Sequence, residues 1–346
     1  MMAHRYVLAV VGLLVALGFL AAPAPNEATA WAVLLNPYAT NSSNLDYVVE
    51  VGGVGGVEVF NPFAIPKVRQ AINLYIDRHA IRSFLPSGSS IAYSPVRIGV
   101  QTTSKVITTP AGVSFPVNID HEHSFDIGRF HPELNPWGNN VDLAAAVSDA
   151  MTAASQKTGL AGRLKHGVTY WEFDSKPIEV KVLRRSTFGV HRQIADFVAG
   201  VLGTCGFMVG FHDDSKTDLL DMVWGPASQY SAFKWSVFVE GWQRTDEMSE
   251  SIPAALAASA YAALRGQMPS GFKTPLLDDV CLFMDCVFNP SASLGCGSQT
   301  WSWLLTHKTF GKYFTASDDL YWDLATLIVR MGMDNAVRIF LGFYDP

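Results

Sequence analysis

Phe60–Phe84 reads FNPFAIPKVRQAINLYIDRHAIRSF. Asn61-Pro62-Phe63 is a turn signal. Pro66 suits the first turn of a helix, where its missing N–H leaves nothing unsatisfied. Val68, Ala71, Ile72, Tyr75 and Ile76 then recur at spacings of three and four, the pattern of one buried helical stripe. Lys67, Arg69, Gln70 and Asn73 are expected on the other face. Asp77 can accept backbone N–H bonds as an N-cap and open a short second helix through Ile81. On composition alone, this is a packed amphipathic helix and its neighbour.

Ile178–Leu183 alternates, with Ile178, Val180 and Val182 on one face and Glu179 and Lys181 on the other, as a strand does. A helix follows with Ile194, Phe197, Val198, Val201 and Leu202 as its stripe. Gly203 and Gly206 end it, and Phe207–Phe211 resumes as a strand. A strand–helix–strand unit of this kind is expected to pair its strands in parallel. Phe233–Trp242 is a further strand, and Asp218–Gly225 a helix. Trp31–Leu35 and the alternating Val337, Ile339 and Leu341 add strands near the two ends. Val141–Thr158 reads as an Ala-rich helix with Asn140 as N-cap, Gly159 as stop, and Leu143, Val147 and Met151 inward. Pro253–Leu264 and Asp318–Met331 read as helices too. Gly52-Gly53 and Gly55-Gly56 mark a tight turn inside Tyr47–Val59, and Ala111–Trp137 reads as irregular.

Three phrases, at 61–81, 178–209 and 234–242, together resemble the extracytoplasmic solute-binding proteins of peptide/nickel ABC transporters (family 5). NPFAIPKVRQAINLYIDRHAI is similar to a phrase that opens a helix in that family's second lobe, where it marks the fold and does not touch ligand. The resemblance implies an α/β chain, a periplasmic-binding-protein-like lobe with a mixed sheet flanked by helices. Family members carry a large first lobe ahead of the phrase. Here only residues 31–60 stand between the leader-like segment and it, so the expectation is a second lobe with remnants of the first.

The chain has 346 residues, 49% of them hydrophobic, a net charge of −6 and 25 Lys+Arg without a basic run. That argues against nucleic-acid binding. Residues 1–30 have His4 and Arg5, the apolar run Val7–Ala22 and Ala28-Thr29-Ala30. This is the pattern of a cleaved signal peptide, or a retained amino-terminal anchor, and 31–346 would form the binding domain. Asn41-Ser42-Ser43 matches a glycosylation acceptor. In an exported chain Cys281, Cys286 and Cys296 are candidate disulfide partners, with connectivity open, and Cys205 sits in an apolar pattern as a buried free thiol. The stretch with His121, His123 and, to join them, Asp126 or His131 is the only one worth testing for a metal site, and a structural or surface role is the simpler reading. No nucleotide loop, calcium loop or G-x-S-x-G is present, so no catalytic residue and no cofactor is assigned.

Open α/β sheets collect ligands beyond the carboxyl ends of their strands. Trp242 and Glu240 close such a strand. With Tyr230 they are the candidate ligand contacts, against the alternatives of a Trp packing at a sheet edge and a carboxylate facing water. The resemblance implies a peptide or other small solute as ligand and ABC-transporter permease subunits as partners, with a separately encoded first lobe or a second copy completing the clamp. It also implies an exported location, periplasmic or cell-surface. A cell-surface structural or interaction protein that keeps the fold without the clamp is the alternative.

Overall fold

The structure is a computed structural model that describes residues 30–39, 46–52, 55–91, 105–108, 114–117, 139–187, 189–224, 233–242, 336 and 338–344. Its centre is a six-stranded mixed sheet. Strand β1 is Ala30–Leu35, β4 Ser90–Ile91, β10 Glu179–Arg185, β11 Met208–Asp214, β12 Val237–Trp242 and β13 Arg338–Phe343, in the order β11-β10-β12-β1-β13-β4. As the sequence predicts, β10 and β11 pair in parallel, and β12 runs parallel to β10 on its other side. β1 is antiparallel to both β12 and β13. Smaller sheets surround this one: the hairpin β2 (Val48–Val51) with β3 (Val57–Phe60), the pair β5 (Lys105–Thr108) with β6 (Ser114–Val117), and the meander β7 (Leu164–His166), β8 (Trp171–Phe173) and β9 (Lys176–Pro177). Strand β6 lies inside the stretch that the sequence reads as irregular, and Pro116 there takes a place in the pair opposite Val106.

The five helices among the described residues are α1 (Pro66–Tyr75), α2 (Arg78–Arg82), α3 (Asn140–Ser155), α4 (Val190–Thr204) and α5 (Lys216–Trp224). The two faces of the sheet are filled separately. Val33, Leu35, Val180, Val182, Val237, Val239, Ile339 and Leu341 join buried residues of α1, α3 and α4 in the large core. Leu34, Leu183, Trp235 and Phe238 meet Leu219 and Val223 of α5 in a second, smaller core. Burying each Val, Leu or Ile contributes about 1.5–3 kcal/mol, so the alternation along each strand fixes its register.

Val68, Ala71, Ile72 and Ile76 are buried as their spacing predicts, but Arg69 and Asn73, expected on the outer face, are 1% and 2% exposed. Their partners explain why. Arg69 Nη1 donates to the Phe63 carbonyl at 2.6 Å. Arg78, the first residue of α2, donates from Nη2 to Asn73 Oδ1 at 2.9 Å, from Nη1 to the Asn73 carbonyl at 2.7 Å, and from Nε to the Phe340 carbonyl of β13 at 3.0 Å. Asn61 is a second fastener. Its amide donates to the carbonyls of Asn36 and Tyr38, both at 2.8 Å, and its Oδ1 accepts from Phe63 N at 3.0 Å. The 61–78 stretch therefore ties the end of β1 and strand β13 to the helix pair through backbone carbonyls, which would otherwise be buried without donors.

Asp77 caps α2 as expected, accepting from Ala80 N. The cap of α3 is Asn139 and not Asn140. Asn140 Oδ1 accepts from Asp77 N at 3.1 Å, so that side chain is committed to joining α3 to α2. Helix α3 stops at Ser155, and Gly159 serves the turn beyond it at φ +85°. Helix α5 begins at Lys216, two residues before the predicted start, behind a Ser215–Asp218 capping pair. Cys205 is a buried free thiol, and burial pushes it up to about 12, which keeps it protonated and inert. Among the described residues no helix is long and apolar enough to cross a membrane.

Candidate functional site

The pairing of the strands puts many chain ends on one edge. β10, β11, β12 and β13 all finish there, while β1 and β4 start there. From β10 the chain passes through α4 to β11 on one side, then through α5 to β12 on the other side. The carboxyl tip of β10 is thus the point at which the connections diverge, the place where open α/β sheets form a crevice.

At that tip stand Arg184 and Arg185, whose side chains leave opposite faces of the strand. Arg184 is fully committed: Nε and Nη2 grip the Asp213 carboxylate at 2.6 Å each, Nη1 reaches Asp196 at 2.8 Å, and the guanidinium lies over the Phe211 ring. These bonds raise Arg184 above its ordinary range and hold Asp213 below the usual carboxylate range. Arg185 is different. It shares the face of Leu183, its Nε is buried without a hydrogen-bond partner, and burial lowers its pKa. His191, in the first turn of α4, also has a buried ring nitrogen, Nε2, without a partner. Burial, with Arg185 and Lys216 nearby, pushes His191 down to about 3, so it is neutral at pH 7. Gly189 supplies no side-chain cap to α4, and no acidic residue lies in its first turn.

Further along the same edge, Trp31, the second residue of β1, stands opposite Gly241 and Gly342. Its Nε1, and Oγ of Ser89 beside β4, are likewise buried and without partners. The other orphaned indoles lie away from this edge: Trp235 precedes β12, and Trp171 bonds the Gly206 backbone where β11 is about to begin.

Of the residues singled out from sequence, Trp242 is the last residue of β12, on this edge and opposite Ala30. Strand β12 is an interior strand of the sheet. Glu240 is buried and faces neither water nor open space, because it forms an ion pair with Arg338 across β1. Ala32, the β1 residue opposite Glu240, has only a methyl group to put between them. Burial raises the Glu240 pKa, against the opposing pull of Arg338. Tyr230, His121, His123, His131, Cys281, Cys286, Cys296, Asn41 and the segment 1–29 lie outside the described residues, as do the helices expected at Pro253–Leu264 and Asp318–Met331. Among the described residues no group of three His, Cys, Asp or Glu could hold a metal ion. Arg185, His191 and Lys216 have no motif to announce them. Only the uncapped Gly189-Val190-His191, after a strand ending Arg184-Arg185, hints at them in the sequence.

No protein-family model matches the chain, and no curated protein matches it in sequence. Solved structures do. A peptide-binding protein of a peptide ABC transporter superposes with a TM-score of 0.50 at 13% identity, over 91% of this chain and 99% of that one. The chain has the fold of the peptide/nickel-class solute-binding proteins. NikA from Brucella suis, solved with Fe(III)-EDTA, aligns at TM-score 0.49 and 12% identity over 92% of this chain and 46% of its own. AppA from Bacillus subtilis, solved with a nonapeptide, gives 0.46 and 14%, over 92% of this chain and 45% of its own. The chain spans less than half the length of NikA or AppA.

Proposed function

We propose that the chain is an extracytoplasmic solute-binding protein, or the solute-binding lobe of one, that captures a peptide or similar small solute for an ABC importer and is not an enzyme. The observation that carries this reading is the β10 switch point, set in a fold shared over 91% of the chain with a peptide-binding protein. Fastened by Asn61, Arg69 and Arg78, the sheet is a rigid platform whose carboxyl edge supplies side chains, as a binding site requires. Trp242 and Tyr230 are its proposed aromatic contacts. Glu240 acts through Arg338 by holding the end of β12 against β13. In this reading residues 1–30 direct export as a signal peptide or anchor, and 31–346 form the binding domain. Permease subunits receive the solute, and a separately encoded first lobe or a second copy closes over it.

The test is mass spectrometry of small molecules released on denaturing the protein purified from its native host, beside Trp fluorescence titrated with peptide pools. A released solute or a saturable change supports the proposal. An empty protein with flat titrations contradicts it and favours a structural protein of the cell surface.

A further inference from the structure

Strand β11 ends the central sheet, with β10 as its single neighbour among the described residues. Its seven residues pair with β10 in unbroken register, from Met208 opposite Glu179 to Asp214 opposite Arg185. Successive residues of a strand turn their backbone groups to opposite edges. Met208 N donates to the Ile178 carbonyl at 3.0 Å, and the Asp214 carbonyl accepts from Ser186 N at 2.8 Å. Met208, Gly210, His212 and Asp214 therefore spend their N–H and C=O groups on β10. Those of Val209, Phe211 and Asp213 point away from the sheet and have no partner among the described residues. The edge is open to water: Phe211 is 49% exposed, and His212 and Asp213 are exposed beside it. Strand edges are normally guarded by proline, lysine, a bulge or a covering element. β11 has no proline, no lysine and no bulge.

We propose that β11 is a dimer interface, pairing antiparallel with β11 of a second copy about a two-fold axis at Phe211. Phe211 then exchanges both backbone bonds with its counterpart, and Val209 of each copy exchanges both with Asp213 of the other. Every outward N–H and C=O group is satisfied, and a shift of register strands some of them. Charge selects the direction. Asp213 and Asp214 lie together at one end of the strand. In-register parallel pairing would set them against their own copies, and like charges directly opposite are destabilising. Antiparallel pairing sets them against Val209 and Met208, and His212 against Gly210. Phe211, the only exposed phenylalanine among the described residues, meets its copy across the axis, with Arg184 4.2 Å from the ring centre. The pairing joins the two sheets into one, and their carboxyl edges face opposite ways. A second copy docked here leaves each candidate solute site open and cannot be the lobe that closes over the solute. The dimer goes beyond the solute-binding reading and stands without it.

A strand-edge interface is small, so association is expected to be weak and to depend on concentration. The test is sedimentation of the full chain over a range of concentrations, beside amide hydrogen exchange resolved along β11. A monomer–dimer equilibrium is expected. In dilute protein the amides of Met208, Gly210, His212 and Asp214 should be protected and those of Val209, Phe211 and Asp213 should exchange fast. In concentrated protein all seven should be protected. F211K sets two like charges across the axis and should weaken association about tenfold or more, with the amides bonded to β10 still protected as the sign of an intact sheet. V57K, at an exposed position of the β2–β3 hairpin, should leave association unchanged. A monomer at every concentration, or a dimer that F211K leaves intact, overturns the proposal. Protection of Val209, Phe211 and Asp213 in dilute protein overturns it too, since something other than a second copy would then cover the edge.

Discussion

Arg78 and Arg185 are both arginines that the fold takes out of water, and they are used in opposite ways. Arg78 is completely buried in the 61–78 stretch and its bonds go to Asn73 and Phe340. Arg185, at the carboxyl tip of β10, has a buried Nε that bonds nothing. A guanidinium with carbonyl partners locks elements together, and its removal strands those carbonyls. A guanidinium with an orphaned donor costs the folded state something unless a ligand completes it. The difference separates a part of the molecule that holds the fold from a part that is available for function.

The largest effect should come from R78M. It removes three hydrogen-bond donors from a fully buried site and is expected to cost about 3–5 kcal/mol, read as a lower urea midpoint with an unchanged slope. N61A should follow, at about 2–3 kcal/mol, since it leaves the Asn36 and Tyr38 carbonyls and Phe63 N–H unsatisfied. Its signature is lost hydrogen-exchange protection at the end of β1. A change as large in R185Q as in R78M would break the comparison, because R185Q is expected to alter stability by less than about 0.5 kcal/mol.

His191 sharpens the contrast through pH. Its folded pKa of about 3 lies below the ordinary value of 6.5. Between those values the unfolded chain binds the proton and the folded chain does not, so stability is present above pH 6.5 and is lost as pH falls. From pH 7 to pH 5 the loss from this group is about 2 kcal/mol. H191Q should flatten that part of the stability profile, and an unchanged profile would show that His191 is not held neutral. G206A is expected to cost about 1–2 kcal/mol. Gly206 sits at φ +83°, and a Cβ there would come within 3.2 Å of His166 Nε2 and Trp171 Cδ1. The smallest effect belongs to R163Q. Arg163 bonds Asp174 of the meander and Glu58 of β3, but the cluster is partly exposed, so its loss should cost less than about 1 kcal/mol and less still in high salt.

Much of the fold was legible because apolar spacing reports burial directly. The strand Ile178–Leu183, the helix after it and the parallel strand that follows were all readable this way, and the NP…VRQAI phrase announced the family's fold. Periodicity misled at Arg69 and Asn73. A polar residue on a helix is assigned to solvent by default, and its long-range carbonyl partners, such as Phe340 for Arg78, are invisible to a local pattern. Asn140 misled for a similar reason, as its side chain serves Asp77 and leaves the cap to Asn139. At the site, the strand-end rule led to Trp242 and Glu240, but the ion pair that commits Glu240 depends on Arg338, almost a hundred residues away in the chain. Arg185, His191 and Lys216 lie in one corner only because the strand order reverses at β10, with β11 on one side and β12 on the other. No spacing in the sequence encodes that reversal.

The most direct test of the carboxyl edge as the solute site is hydrogen exchange on the protein as purified from its host, compared with the same protein after its solutes are stripped. Protection is predicted to fall on stripping at 185–192, 214–218 and 240–242, with 61–78 unchanged in both states. Loss of protection confined to the 164–177 meander, or no difference anywhere, would contradict the account.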